Sequence, residues 1–102
     1  PIVIGMDETL NQSIADNITM TCYPNPTASD VSFDINIEEA AYVRIDIINM
    51  LGQKVGEVFN EKLSSGQHSQ KFDFSSMENG IYFYQVFVDQ AIKYNGKIVV
   101  SK

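Results

Sequence analysis

The sequence predicts an all-β chain folded as a two-layer sandwich, and three observations carry that prediction. Apolar residues recur at a period of two along most of the chain. The residues that carry this period are β-branched or aromatic, the types that fit a pleated, half-buried surface. Turn signals interrupt them about every 8 to 12 residues. A chain of 102 residues has the size of one domain, and 44% apolar content with six Phe and five Tyr can build one core. A small barrel is the competing architecture.

The first 17 residues read as a linker or as the end of a preceding region. Met6 to Asn17 is polar and follows neither period, Pro1 to Ile4 could close a preceding domain or add an edge strand, and Glu8 to Ala15 has room for a turn or two of helix. The chain opens at Pro1 with neither a charged n-region nor the apolar run of a signal peptide, so more sequence is expected upstream. The domain itself is expected over residues 18–102. Its first strand, Ile18 to Tyr23, runs into Tyr23-Pro24-Asn25-Pro26. Each proline removes a backbone donor and holds the residue before it extended, so the strand ends there in a stiff corner. Seen alone, such a corner needs no function.

Two strands follow directly. Val31, Phe33, Ile35 and Ile37 alternate with Ser32, Asp34 and Asn36, and Val43, Ile45 and Ile47 alternate with Arg44 and Asp46. Glu38 to Ala41 separates them. Asn49-Met50-Leu51-Gly52 then reads as a four-residue turn opened by Asn and closed by Gly, which predicts a hairpin into Gln53 to Phe59. Ser64-Ser65-Gly66 breaks the chain again before His68 to Phe74, where Phe72 and Phe74 share a face, and Ser75 to Gly80 is a third break. In Ile81 to Val88 both parities are apolar, which predicts a strand covered on both faces by the fold or by a partner. Asp89-Gln90-Ala91 turns it into Ile92 to Val100, with Asn95-Gly96 read as a bulge or bend. About seven antiparallel strands in about 100 residues is the pattern of an immunoglobulin-like β-sandwich.

Charge and residue inventory exclude several functions. Thirteen acidic against seven basic residues give −6, which argues against nucleic acid or an anionic membrane as the main partner. No apolar run approaches the roughly 18 residues of a spanning helix. One Cys and one His cannot supply a zinc site, and the acids never form the spaced loop of a calcium hand, so no metal or other cofactor is expected. His68 sits among Gln67, Ser69 and Gln70 at what reads as an exposed strand end, Glu38 and Glu39 are adjacent and point apart, and no catalytic residue is nominated. Cys22 reads as a buried, inert thiol. Asn11-Gln12-Ser13 and Asn17-Ile18-Thr19 fit the glycosylation triplet, which polar segments also produce by chance.

The C-terminus is set apart by its charge. Lys93, Lys97 and Lys102 give the last ten residues +3, while four basic and thirteen acidic residues give the first 92 a charge of −9. Lysines on an edge strand are a common protection against pairing with other chains. Lys97-Ile98-Val99-Val100-Ser101-Lys102 could equally present main-chain groups and cations to an acidic partner that adds a strand.

These blocks, in order, resemble one family. Tyr23-Pro24-Asn25-Pro26 followed by a strand, Val43 to Val55 with Asn49-Met50-Leu51-Gly52-Gln53, Gly80-Ile81-Tyr82-Phe83-Tyr84, and the terminal Lys97 to Lys102 are similar to the type A C-terminal sorting domain of the type IX secretion system. The likeness runs over about 80 residues. It implies an immunoglobulin-like fold and the work of an address label. The cargo crosses the inner membrane, folds in the periplasm, and is carried across the outer membrane because the translocon and its shuttle proteins recognise the domain. A sortase-like protease commonly cuts before the domain and joins the cargo to a surface lipopolysaccharide. The family's recognition positions carry over to Lys97, Ile98, Val99, Val100, Ser101 and Lys102. Its mainly structural motif positions carry over to Tyr23, Pro24, Asn25, Pro26, Gly52, Gly80 and Tyr82. Cys22, directly before the corner, departs from the pattern and raises the odds of a disulfide-linked homodimer in vitro.

The expected mechanism is main-chain pairing to an accessible terminal strand, with the lysines aiding encounter. The alternative function is a carbohydrate-binding or fibronectin-like module of a secreted hydrolase, with Tyr82, Phe83, Tyr84 or Phe87 as its contact strip.

Overall fold

The computed structural model describes the backbone of residues 12–15 and the whole of residues 17–102. Eight strands are described: β1 (Gln12–Ala15), β2 (Ile18–Tyr23), β3 (Asp30–Ile37), β4 (Ala41–Ile48), β5 (Lys54–Leu63), β6 (Gly66–Asp73), β7 (Gly80–Val88) and β8 (Ala91–Val100). They form two four-stranded sheets in the orders β1-β2-β3-β6 and β5-β4-β7-β8, antiparallel throughout. Two separate sheets exclude the barrel. The chain crosses between them after β3, β5 and β6, which is how the immunoglobulin-like sandwich is wound.

The period of two is what closes the core. Val31, Phe33, Ile35 and Ile37 on β3 face Val43, Ile45 and Ile47 on β4, none more than 2% exposed. Ile18 and Met20 from β2, Phe59 and Leu63 from β5, Phe74, Val86 from β7, and Ile98 and Val100 from β8 join them in the interior. Burying that apolar surface is the main force holding the layers together, since aliphatic side chains of this size contribute about 1.5–3 kcal/mol each when fully covered. At the open side between β5 and β6 the Phe72 ring sits where a Cβ on Gly56 would be, so a bare backbone lets the two sheets close.

The turns follow their residues. Asn49 Oδ1 accepts from the amides of Leu51 and Gln53 at 2.9 and 3.0 Å, and Gly52 takes φ +85°, as the Asn-to-Gly turn requires. Asp89 and Gln90 both have positive φ, 51° and 75°, in a two-residue loop of the type that matches strand twist.

Three expectations change. Gln12–Ala15, read above within a linker with room for helix, forms an edge strand with Gln12 opposite Met20, Ser13 opposite Thr19, and a register shift before Ala15. Four residues with a shift are too few to show a period. Residues 1–11 and 16, with Pro1 to Ile4 and Asn11, lie outside the described residues. The bulge in β8 falls at Lys93, between Ile92 opposite Phe87 and Tyr94 opposite Val86, and not at Asn95-Gly96, which pair regularly with Gln85 and Tyr84. The second face of β7 is only partly covered: Phe83 stays 38% exposed, and the Arg44 guanidinium lies 4.0 Å from the centre of the Phe87 ring.

Candidate functional site

Strand alternation sorts the terminal residues. Ile98 and Val100 point inward and are 0% and 2% exposed, Val99 is half-buried on the outer face, and Lys97, Ser101 and Lys102 are exposed. Across the ladder, Lys97 lies opposite Phe83, Ile98 opposite Tyr82, Val99 opposite Ile81 and Val100 opposite Gly80. The Gly80-x-Tyr82 pair is thus the immediate neighbour of the terminal strand. Its tyrosine is held by its hydroxyl, which donates to the Glu78 carbonyl at 2.8 Å.

The other side of β8 is occupied by the Tyr23 to Pro26 corner and the residue after it. Thr27 N donates to Val99 O at 2.9 Å and Ser101 N donates to Thr27 O at 2.9 Å, a parallel bridge around Val100. Two residues earlier, Asn25 Nδ2 donates to Lys97 O at 2.7 Å and Val99 N donates to Asn25 Oδ1 at 2.9 Å. Thr27 is itself buried and tied down, its hydroxyl donating to Asp30 O at 2.7 Å. The tail ends in a staple: Lys102 N donates to Asn79 Oδ1 at 3.0 Å, and its ammonium donates to the carbonyls of Ser75, at 2.7 Å, and Met77.

This geometry corrects the expected mechanism. From Lys97 to Ser101 the strand edge is filled, so a partner cannot add a strand there without displacing the corner. What faces outward is a set of side chains, Lys97 and Val99 beside Phe83 and Ile81. The role of Asn25 was not legible in the sequence, because its partners lie 72 and 74 residues away along the chain. The only local hint is a side chain with one donor group and one acceptor placed between two prolines.

The expected aromatic strip is not assembled. Tyr84 is buried, Tyr82 packs at 5.4 Å from Phe74, Phe87 lies under Arg44, and Phe83 alone is exposed. On the opposite sheet, a depression of about 520 Å³ is lined by Thr19, Thr21, Tyr23, Asp34, Asn36 and His68. Tyr23 donates to Asp34 Oδ2 at 2.7 Å, and this bond with the neighbouring carboxylate charge holds the phenol above its usual range. His68 Nε2 lies 2.7 Å from the Ser64 carbonyl. Cys22 shares the inner face with Phe33, its register partner, and burial pushes its thiol up to about 12. Among the described residues no group of three His, Cys, Asp or Glu could hold a metal ion, and no helix is long and apolar enough to cross a membrane.

Two antiparallel sheets in these orders define an all-β sandwich of the immunoglobulin-like class. The sequence profile of the secretion system C-terminal sorting domain matches residues 21–101, and the chain belongs to that family, the C-terminal signal of type IX secretion. No curated protein matches the chain. Among solved structures it is similar to an immunoglobulin-like protein from Pseudomonas aeruginosa, at 11% identity over 86% of this chain and 75% of that one, with a TM-score of 0.45. The sandwich assignment stands on the sheet order itself. As a sorting signal, the chain interacts with the secretion system and directs export across the outer membrane to the surface or the medium.

Proposed function

We propose that residues 18–102 are the address label of a larger cargo, read through the outward side chains of the terminal strand. The residues before 18 join the label to its cargo and are where a sortase-like protease would cut; surface attachment of the cargo follows that cut. The label carries no catalytic step. Its partners are the outer-membrane translocon and its shuttle proteins, met after transit through the periplasm. The observation that carries this reading is the outward placement of exposed Lys97 and half-buried Val99 on a strand whose edge is closed and whose alternate residues, Ile98 and Val100, belong to the core. Cations at an exposed rim govern encounter and orientation with an acidic partner more than raw affinity.

The test is a fusion of residues 1–102 to an unrelated periplasmic reporter in a type IX host. The parent fusion is expected at the cell surface or in the medium, and Lys97→Ala and Val99→Ser fusions are expected to fold yet stay in the periplasm. Equal export of both folded variants would sink the reading.

A further inference from the structure

The hydrogen bonds on the outer edge of β8 repeat with a step of two. The main chain of Thr27 brackets Val100 by bonding Val99 O and Ser101 N. The carboxamide of Asn25 brackets Ile98 in the same way by bonding Lys97 O and Val99 N. In a parallel ladder one residue's N–H and C=O bond the two residues flanking its partner. A carboxamide carries the same donor and acceptor as a peptide group, so the Asn25 side chain continues the Thr27 bridge by one more rung. The prolines at 24 and 26 have no N–H to give, and the side chain supplies what the main chain around it lacks.

The rung has a consequence because of what it covers. Ile98-Val99-Val100, preceded by Lys97, is a β-branched run on the edge strand of its sheet. Such an edge is a template for pairing with another chain unless it is blocked. We infer that Asn25 is the residue that blocks it. Its carboxamide stands in for a neighbouring strand at Lys97 to Val99, so that other copies and export proteins meet the strand's side chains and not its main chain. Asn25 is a positioning residue: it acts through β8. The inference rests on the reading above that the terminal strand is what the export system meets, and the two can fail separately.

The 102-residue chain is compared with Asn25→Ala and with Asn25→Ala/Lys97→Pro. The proline is placed at a residue whose main-chain groups face the open edge, so it restores a block without breaking the β7 ladder. In Asn25→Ala the amide of Val99 is expected to exchange with solvent at least tenfold faster, while those of Ile98 and Val100, which face β7, are unchanged. Light scattering at a few hundred micromolar is expected to show a monomer for the parent, concentration-dependent association for Asn25→Ala, and a monomer again for the double variant. A merely structural loss would speed all three amides together and would not be rescued by the proline; either result overturns the inference. Should Asn25→Ala not fold, the parent decides: a Val99 amide exchanging within tenfold of an unfolded chain overturns the block. If exchange and association behave as expected but folded Lys97→Ala and Val99→Ser cargo fusions are exported like the parent, the block stands and the terminal-strand reading of export falls.

Discussion

Tyr84 and Gly96 face each other across β7 and β8, and the tyrosine ring fills the space that a Cβ on Gly96 would need. The same ring meets Phe33 edge-on at 5.5 Å, so it ties the terminal hairpin to the opposite sheet. Glycine in a strand marks either a bulge or a close approach, and here it marks the second.

Gly96→Ala is therefore expected to destabilise the sandwich by about 1–3 kcal/mol, the usual cost of forcing volume into a packed site. Urea denaturation measures it. In a Tyr84→Leu background the same substitution should cost much less, giving a coupling energy above about 0.5 kcal/mol in a double-mutant cycle. Additive effects would mean that the ring and the glycine are independent.

Cys22 is expected to resist both alkylation and disulfide-linked dimerisation in the folded chain. With its thiol pushed up to about 12, the thiolate near neutral pH is scarcer than in an unfolded chain by roughly a thousandfold. Reaction with a thiol reagent should therefore be slow until denaturant is added. The same shift makes stability fall at alkaline pH. The unfolded thiol ionises near 9 while the folded one holds its proton to about 12, so the native state binds more protons between these values. Stability should drop there by up to about 1.4 kcal/mol per pH unit for this group. Tyr84, also raised by burial, acts in the same direction higher up. Cys22→Ala should flatten the first part of the decline; an unchanged slope would contradict the assignment.

Most of the sandwich was legible because its information is local. Val31 to Ile37 and Val43 to Ile47 alternate cleanly, and each inward residue is buried where the period of two puts it. The Asn49 turn was legible because Asn and Gly fix its geometry within four residues. The bulge was not, since the pull of Gly96 toward a bend is answered by Tyr84 on another strand, while Lys93 carries no bulge signal of its own. The site was half legible. Lysine enrichment pointed to the tail, but whether its edge is open depends on Asn25 and Thr27, and no local pattern reports a contact across more than seventy residues.

Asp46 shows where charge is held on the outer face. Its carboxylate is nearly buried, 3.2 Å from Arg44 Nε and 3.3 Å from Lys54 Nζ, and Lys54 also reaches Glu57 at 2.9 Å. The Arg44 contact has ion-pair distance without hydrogen-bond alignment. Removing both cations with Arg44→Met/Lys54→Met leaves a covered charge uncompensated and is expected to cost on the order of 3 kcal/mol. Asp46→Asn, which leaves two cations that can turn to water, is expected to cost about 1 kcal/mol. Chemical denaturation ranks the two, and the reverse order would mean that the carboxylate is better solvated than its burial indicates.

Along β8 the cost of truncation is expected to alternate with the pleat. Ile98→Ala empties a fully buried site and should cost about 2–4 kcal/mol, while Val100→Ala should cost somewhat less. Lys97→Ala, on the exposed face, should change stability by less than about 0.5 kcal/mol. Lys102→Ala belongs between these, because it gives up charge-assisted bonds to the carbonyls of Ser75 and Met77 worth about 1–2 kcal/mol together. Export need not follow the same order. A cargo carrying Ile98→Ala should fail only as far as the domain unfolds, and lowering the temperature should restore it. Lys97→Ala should fail at every temperature at which the domain is folded. Measuring stability and surface delivery of all four variants at two temperatures separates residues that hold the strand from residues that are read on it. If export tracks stability for Lys97 as it does for Ile98, the exposed face is not what the secretion system reads.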